Sequence, residues 1–488
     1  SRRSPPIVSK RQAELYGLVT YGATEEDLDK ARIRGIRLTQ DCKDLLQNFE
    51  PPFATTQPPA EARAVEMTSD NEKEMIGQEK YLGGMPSPCG RYIYGVPGGA
   101  KRVLRISTET AKMDWIGPAF HGKFKWLRGV EVPPSVFAGS PQAALYPDGC
   151  CIALACNDMS FLKINPANDG MVYSFGTDVL KTACDGMDGW FYHGGNLAGQ
   201  NGWIYCIPAN APRIAKLNPV TDEVVMIGPD LGRGRCKWFG GIVGSDGCIY
   251  GIPHNESTVL KIDPATDEIA FLGASKGQAD LPVGKWKWHG GLAAGDKIIG
   301  FPNNSDQILV INCKDKTVYT VGSSSILRSG RHRIPQDDRY KYLGGALTRD
   351  GRYAYLFPCD AERVLRMDME TDALTLVGPP LLDGENKFQN GFCGSDGCMY
   401  GIPQRATGVL RVKPAMDGSG EDDHVDIIPC GEGMMKVKDK FEGGVLGADG
   451  AIYCIPLRAK SCIKIIPAAQ PGQRIAASTS STGGSNET

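Results

Sequence analysis

Along most of the chain apolar residues come in short runs that alternate with polar positions at a period of two. Each run ends in turn chemistry, a pattern that specifies β-strands and not helices. One such unit recurs from Lys80 to about Pro467, and its clearest copy, KWFGGIVGSDGCIYGIPHNESTVLKIDPATDEIAFLG, runs from Lys237 to Gly273. The openings are KYLGG at Lys80, KWLRG at Lys125, FYHGG at Phe191, KWFGG at Lys237, KWHGG at Lys287, KYLGG at Lys341, KFQNG at Lys387 and KFEGG at Lys440. These define eight copies of about 48 residues, a length suited to four short strands.

Each copy predicts an antiparallel meander. Its first strand carries the aromatic and the glycine pair, the second is of the IYGIP type, the third reads VLKID and the fourth EIAFLG. Between first and second lie Asp246-Gly247, Asp350-Gly351, Asp396-Gly397, Asp449-Gly450 and Asn201-Gly202, pairs that accept positive φ and close tight hairpins. Asn218-Pro219 and Asp263-Pro264 turn the third strand into the fourth, and a Pro ending the second strand marks where pairing stops. Stacking the copies around an axis buries faces that a lone meander exposes. The expectation is therefore an all-β chain with a single β-propeller of about eight four-stranded antiparallel blades over residues 61–467. The eighth copy supplies only three strands, so Glu61 to Thr68 is expected to complete it, with residues 473 to 478 as the alternative.

The blade pattern, an Asp-Gly, a hydrophobic-Tyr strand and then a hydrophobic-Asp-Pro-x-Thr turn, resembles the YVTN and virginiamycin-lyase-like propellers. It lacks the WD dipeptide of WD repeats, and its Gly pair precedes the Tyr strand where a kelch repeat has it after. The resemblance implies a fold and carries no function over.

Outside the repeat, residues 1–60 form an N-terminal extension with two expected short helices. Thr24 and Asp27 make a capping box for the first, which stops at Gly35; Thr39 caps the second, which Pro51-Pro52 end. Leu28, Leu45, Leu46 and Phe49 give this extension an apolar face and the character of a partner-docking arm. Residues 468–488 end in STSSTGGSNET, too polar to pack, and are expected to be a flexible tail. The second copy carries an insertion between Gly129 and Asp148, and the third lacks the leading Lys; such departures mark a contact surface.

Charge narrows the function classes. Lys plus Arg is 54 and Asp plus Glu is 56, a net charge of −2, which argues against general nucleic-acid binding. No apolar stretch is long enough for a membrane helix. The 16 cysteines include no CxxC pair and read as free thiols of an intracellular protein, with no metal site. Arg2, Arg3, Lys10 and Arg11 ahead of the first acidic residue are compatible with an organellar precursor, mitochondrial or plastid, and equally with a truncated chain. Sequons at Asn255, Asn303 and Asn486 keep secretion open.

Candidate chemistry is sparse. His193 and His289 share one register, just before the glycine pair, where the other copies hold Leu82, Leu127, Phe239, Leu343, Gln389 and Glu442. That register is mostly apolar, the two histidines lie two copies apart, and Glu442 belongs to neither neighbour, so packing is expected there. No nucleophile elbow, P-loop or dinucleotide fingerprint occurs, and neither a catalytic residue nor a cofactor is assigned. The distinctive feature is a Lys before the aromatic in seven of eight openings: Lys80, Lys125, Lys237, Lys287, Lys341, Lys387 and Lys440. Equal registers in a propeller lie at equal radius, so these amines are expected to form a collar at one channel mouth. One reading makes them solvated strand-start residues; the other a positive ring for an anion or acidic peptide. The function these observations favour is a non-catalytic interaction scaffold, an accessory subunit that binds other protein subunits. A lyase- or lactonase-type propeller enzyme and an anion or acidic-peptide binding module are the alternatives.

Overall fold

The period-two pattern resolves into 32 strands arranged as eight four-stranded antiparallel sheets, a β-propeller. The computed structural model describes residues 61–69, 71–168, 171–273, 281–327, 340–382, 384–415 and 423–469. The two helices expected before Pro51, the arm residues Leu28, Leu45, Leu46 and Phe49, and the tail beyond Ala469 lie outside the described residues.

Seven blades are single meanders: residues 81–116, 126–175, 192–227, 238–272, 288–321, 342–377 and 388–429. The eighth takes its inner three strands from residues 441–466 and its outermost from Arg63–Met67, which pairs antiparallel with Cys462–Ile466. Glu66 of that strand accepts a hydrogen bond from the Ser461 hydroxyl at 2.5 Å.

Burial peaks at the second strand of each blade. Second strands such as Ile204–Pro208, Ile249–Pro253 and Met399–Pro403 are buried at every residue, because both of their faces meet neighbouring blades. The outermost strand Glu268–Leu272 has no fully buried residue. The turn motifs are bonded as well as shaped. Four residues after its Asp-Gly aspartate, the second-strand tyrosine donates back to that carboxylate: Tyr250 to Asp246 at 2.8 Å, Tyr400 to Asp396 at 2.5 Å and Tyr453 to Asp449 at 2.7 Å. Where Asn201 replaces the aspartate, Tyr205 reaches Asp267 of the next blade at 2.6 Å. Blades are also joined by ion pairs from one blade to the turn before the next blade's outer strand: Lys163 to Asp222, Lys216 to Asp267 and Lys297 to Asp372, at 2.7, 2.5 and 2.6 Å.

The irregular second blade packs its insertion inward. Phe137 and Tyr146 are both buried and stack at 4.7 Å, with the Lys163 ammonium 4.4 Å from the Tyr146 ring. Fifteen described cysteines are free thiols; 12 are buried and Cys89, Cys236 and Cys393 are partly exposed. Burial pushes the Cys150 and Cys462 thiols up to about 12.

Two outcomes follow from this packing. A thiol reagent at pH 8 should label Cys89, Cys236 and Cys393 in the native protein and the buried set only after unfolding; rapid native labelling of Cys206 or Cys454 would contradict it. Removing residues up to Thr68 bares the edge of Cys462–Ile466 and should lower the melting temperature by more than about 5 °C in differential scanning calorimetry, whereas an unchanged transition would show that blade eight stands without its outer strand.

Candidate channel site

Every blade begins with a peptide that is bonded to its neighbour. The amide of the opening residue donates to the carbonyl of the residue following the second strand of the preceding blade. The amide of that residue in turn donates to the opening residue of its own blade. Traced around the ring, the series runs Lys125 to Gly98 to Lys80 to Leu457 to Lys440 to Gln404 to Lys387 to Cys359 to Lys341, and onward through Asn303, Lys287, His254, Lys237, Ala209, Phe191 and Cys156 back to Lys125. Two bonds per blade over eight blades, each between 2.8 and 3.3 Å, form a closed belt.

The lysine side chains belong to this belt. The expectation of solvated amines at a channel mouth is not met: all seven are buried, none more than 3% exposed. Six of them find backbone carbonyls in or beside the belt, while Lys440 Nζ is buried with no hydrogen-bond partner among the described residues. Lys125 donates to Gly98 at 2.6 Å and Ala100 at 2.8 Å, and Lys80 to Leu457 at 3.2 Å. Lys287 donates to Glu256 at 2.7 Å; Lys341 donates to Asn304 at 2.8 Å and pairs with Asp306 at 3.3 Å. Five of the amines also reach the carbonyl of a glycine three residues earlier, Gly77, Gly122, Gly234, Gly284 or Gly384. This Gly-x-x-Lys spacing is legible in the sequence and is the signal that marks those five lysines as bonded. Burial pushes Lys80, Lys125, Lys237 and Lys287 down to about 8, which still leaves most of the amine charged at neutral pH.

Just inside the belt, the second and third residues of each innermost strand line the channel. All innermost pairs carry a register shift there, a bulge. The third residue takes a left-handed backbone in seven blades: Gly83, Arg128, Gly194, Gly240, Gly290, Asn390 and Gly443. Glycine suits this position for a second reason, since a Cβ on Gly194 would come within 2.9 Å of Gly240, and one on Gly240 within 3.0 Å of Gly290. Arg128 (φ 55°) and Asn390 (φ 66°) are the exceptions. Both are functional candidates that the sequence reading passed over, although each stands in the sequence as a break in a glycine register.

The channel histidines do come together, contrary to their separation by two copies. The rings of His193 and His289 lie 5.1 Å apart, edge to face, because innermost strands converge on the axis. Phe239 is sandwiched at 4.1 Å between His193 and His254, and Trp286 stacks beyond His254 at 6.5 Å. His254 Nδ1 is 2.7 Å from the Trp288 carbonyl, and burial pushes this histidine down to about 4. Burial, then the nearby Arg128 and His254, hold His193 well below the usual range; burial, then His193, does the same for His289. Across the channel Glu442 accepts from Gln389 at 3.0 Å, and burial raises its carboxyl. Arg128, His193, His289 and Asn390 together with Leu154, Ile242, Phe301, Leu343 and the bulge glycines enclose a cavity of about 240 Å³. Among the described residues no group of three or more His, Cys, Asp or Glu is placed to hold a metal ion.

The sequence matches no protein-family model and no curated protein. Solved structures with similar folds include a streptogramin B lyase, 11% identical over 84% of this chain and 99% of that one, with a TM-score of 0.46. Virginiamycin B lyase from Staphylococcus aureus is 12% identical over 65% of this chain and 91% of that one, at 0.44. U3-55K is 10% identical over 84% of this chain and all of that one, at 0.43. The likeness is one of fold, in keeping with the blade motif.

Lys125→Met, which keeps the stem and removes the ammonium from three carbonyls, should destabilise the protein by about 2–4 kcal/mol in urea unfolding. The loss should be equal at about 0.1 and 1 M salt, because the charge is buried. A cost that vanishes in high salt would return the lysine to solvent.

Proposed function

We propose that the protein is a non-catalytic scaffold, a subunit that docks other protein subunits of a larger intracellular assembly. The carrying observation is where its exposed apolar side chains lie. In an up-and-down meander the connections between blades all fall on one face of the ring, and the Asp-Gly and Asp-Pro hairpins on the other. Of the eight large hydrophobic residues left exposed among the described residues, Ile76, Val283, Trp286, Leu382 and Met435 lie in inter-blade connections. Val283 is fully exposed and Ile76 two-thirds exposed. Apolar groups gathered on one face favour a protein partner, whereas isolated ones carry no such meaning. The hairpin face ends instead in polar turns, and the belt beneath the connections holds the docking loops on a common base. Unpaired cysteines support a reducing compartment.

The face assignment is testable. Protein purified from its natural source should elute with partner subunits in size-exclusion chromatography with light scattering, and chemical cross-links should fall on the inter-blade connections. Val283→Asp combined with Leu382→Asp should abolish co-elution without altering the melting temperature. Thr266→Lys with Thr371→Lys, on exposed hairpins of the other face, should leave it intact. Migration as a lone chain, or loss of partners only with the hairpin variant, would overturn the reading.

A further inference from the structure

Arg128 is held under two costs that nothing else in the protein explains. Its backbone is left-handed, at φ 55°, in a register where six other blades carry glycine and avoid the roughly 1–2 kcal/mol that an L side chain pays there. Its side chain is only partly buried and lines the channel cavity, where desolvation works against its charge, and among the described residues it makes no ion pair within 4 Å. Glu442, two blades away around the ring, exerts an attraction, but its carboxylate is engaged by the Gln389 amide. A third cost lies beside these two. His193 is 6% exposed, lines the same cavity, and has an Nδ1 with no hydrogen-bond partner. A buried polar group left unpaired costs about 1–3 kcal/mol, and one that faces a cavity beside a partly buried arginine points to something that enters it.

The polar lining gives the chemistry of that occupant. Arg128 is a planar fork of donors, the neutral imidazoles of His193 and His289 each carry one N–H, and Asn390 adds an amide at the other left-handed, non-glycine position. The set is rich in donors, with a single fixed positive charge, and its remaining walls are apolar. The cavity, of about 240 Å³, has room for a small anion. We propose that the channel is a binding site for a small oxyanion, a carboxylate of a few carbons or an inorganic tetraoxyanion, anchored by Arg128 and completed by His193, His289 and Asn390. This site is separate from the docking face: its polar residues belong to innermost strands, and it stands or falls without the scaffold reading.

Arg128→Gly supplies a clean test, because glycine is what the other blades carry there and the variant should fold at least as stably as the parent. Titration calorimetry of the full chain with acetate, malonate and inorganic phosphate should give one saturable site for a carboxylate or for phosphate, with Kd on the order of 1 mM or tighter. Preference for acetate or malonate identifies a carboxylate site, and preference for phosphate a tetraoxyanion site. Arg128→Gly should weaken that binding by about 10- to 100-fold, the usual effect of losing charge-assisted hydrogen bonds. Glu442→Gln, which removes the opposing charge, should tighten it several-fold. No saturable binding of any of the three anions, or equal affinity in Arg128→Gly, would overturn the proposal.

Discussion

The belt of peptide hydrogen bonds at the blade openings is the interaction on which the rest of this molecule depends. A β-sheet ordinarily spends its backbone groups within itself, and blades packed face to face are held by side chains alone. Here the chain leaves each second strand and enters each first strand through peptides that bond to the next blade, so the ring closes through its backbone. An amide at Lys125 and a carbonyl at Gly98 are a fixed distance apart, and that sets the pitch between blades. The lysines follow from the same geometry. Carbonyls that have accepted one amide and face a protein interior are strong sites for an ammonium, and those of Gly98, Leu457 and His254 each take a second donor from a blade-opening lysine.

With the pitch set, the inner wall has little freedom. Innermost strands come so close near the axis that the bulge residues of neighbouring blades touch through their backbones, which is why glycine occupies that register. Against such a wall, the few side chains that do appear are conspicuous. Arg128 and Asn390 lean over neighbouring glycines: a Cβ on Gly83 would come within 3.2 Å of Arg128 Cγ, and one on Gly443 within 2.8 Å of Asn390 Nδ2. Variation is therefore pushed to two places: the connections on one face, where the exposed apolar residues lie, and the channel positions just inside the belt.

The fold was legible because its signals are local. An aspartate four residues before a tyrosine, as in Asp246 and Tyr250, shapes and bonds its hairpin without help from elsewhere in the chain, and eight repetitions leave little choice of architecture. The site was less legible, since what defines it is contributed by other blades. A lysine beside an aromatic at the start of a strand reads as solvated unless one knows that carbonyls such as those of Gly98 and Ala100 arrive from the preceding blade. His193 and His289 look distant because spacing along the chain measures arc and not radius; near the axis two blades are one ring contact apart. Arg128 lay in plain view as the R of KWLRG, but a left-handed bulge that turns the residue toward the channel is a property of the paired strands, not of the pentapeptide.

The strand that completes the eighth blade bears on how the ring is made. Glu66 and its partner Ser461 are 395 residues apart in sequence. At a synthesis rate of about 5–20 residues per second, roughly 20–80 s pass between the emergence of one and of the other. Throughout that interval Arg63–Met67 has no sheet to join, while successive blades behind it can form from local meanders as they appear. The first blade must meanwhile hold an open flank, its opening peptide at Lys80 waiting for the Leu457 carbonyl. The nascent protein is thus an incomplete arc with an unpaired strand at its head, and it becomes a ring in a single late event that couples the two ends of the chain.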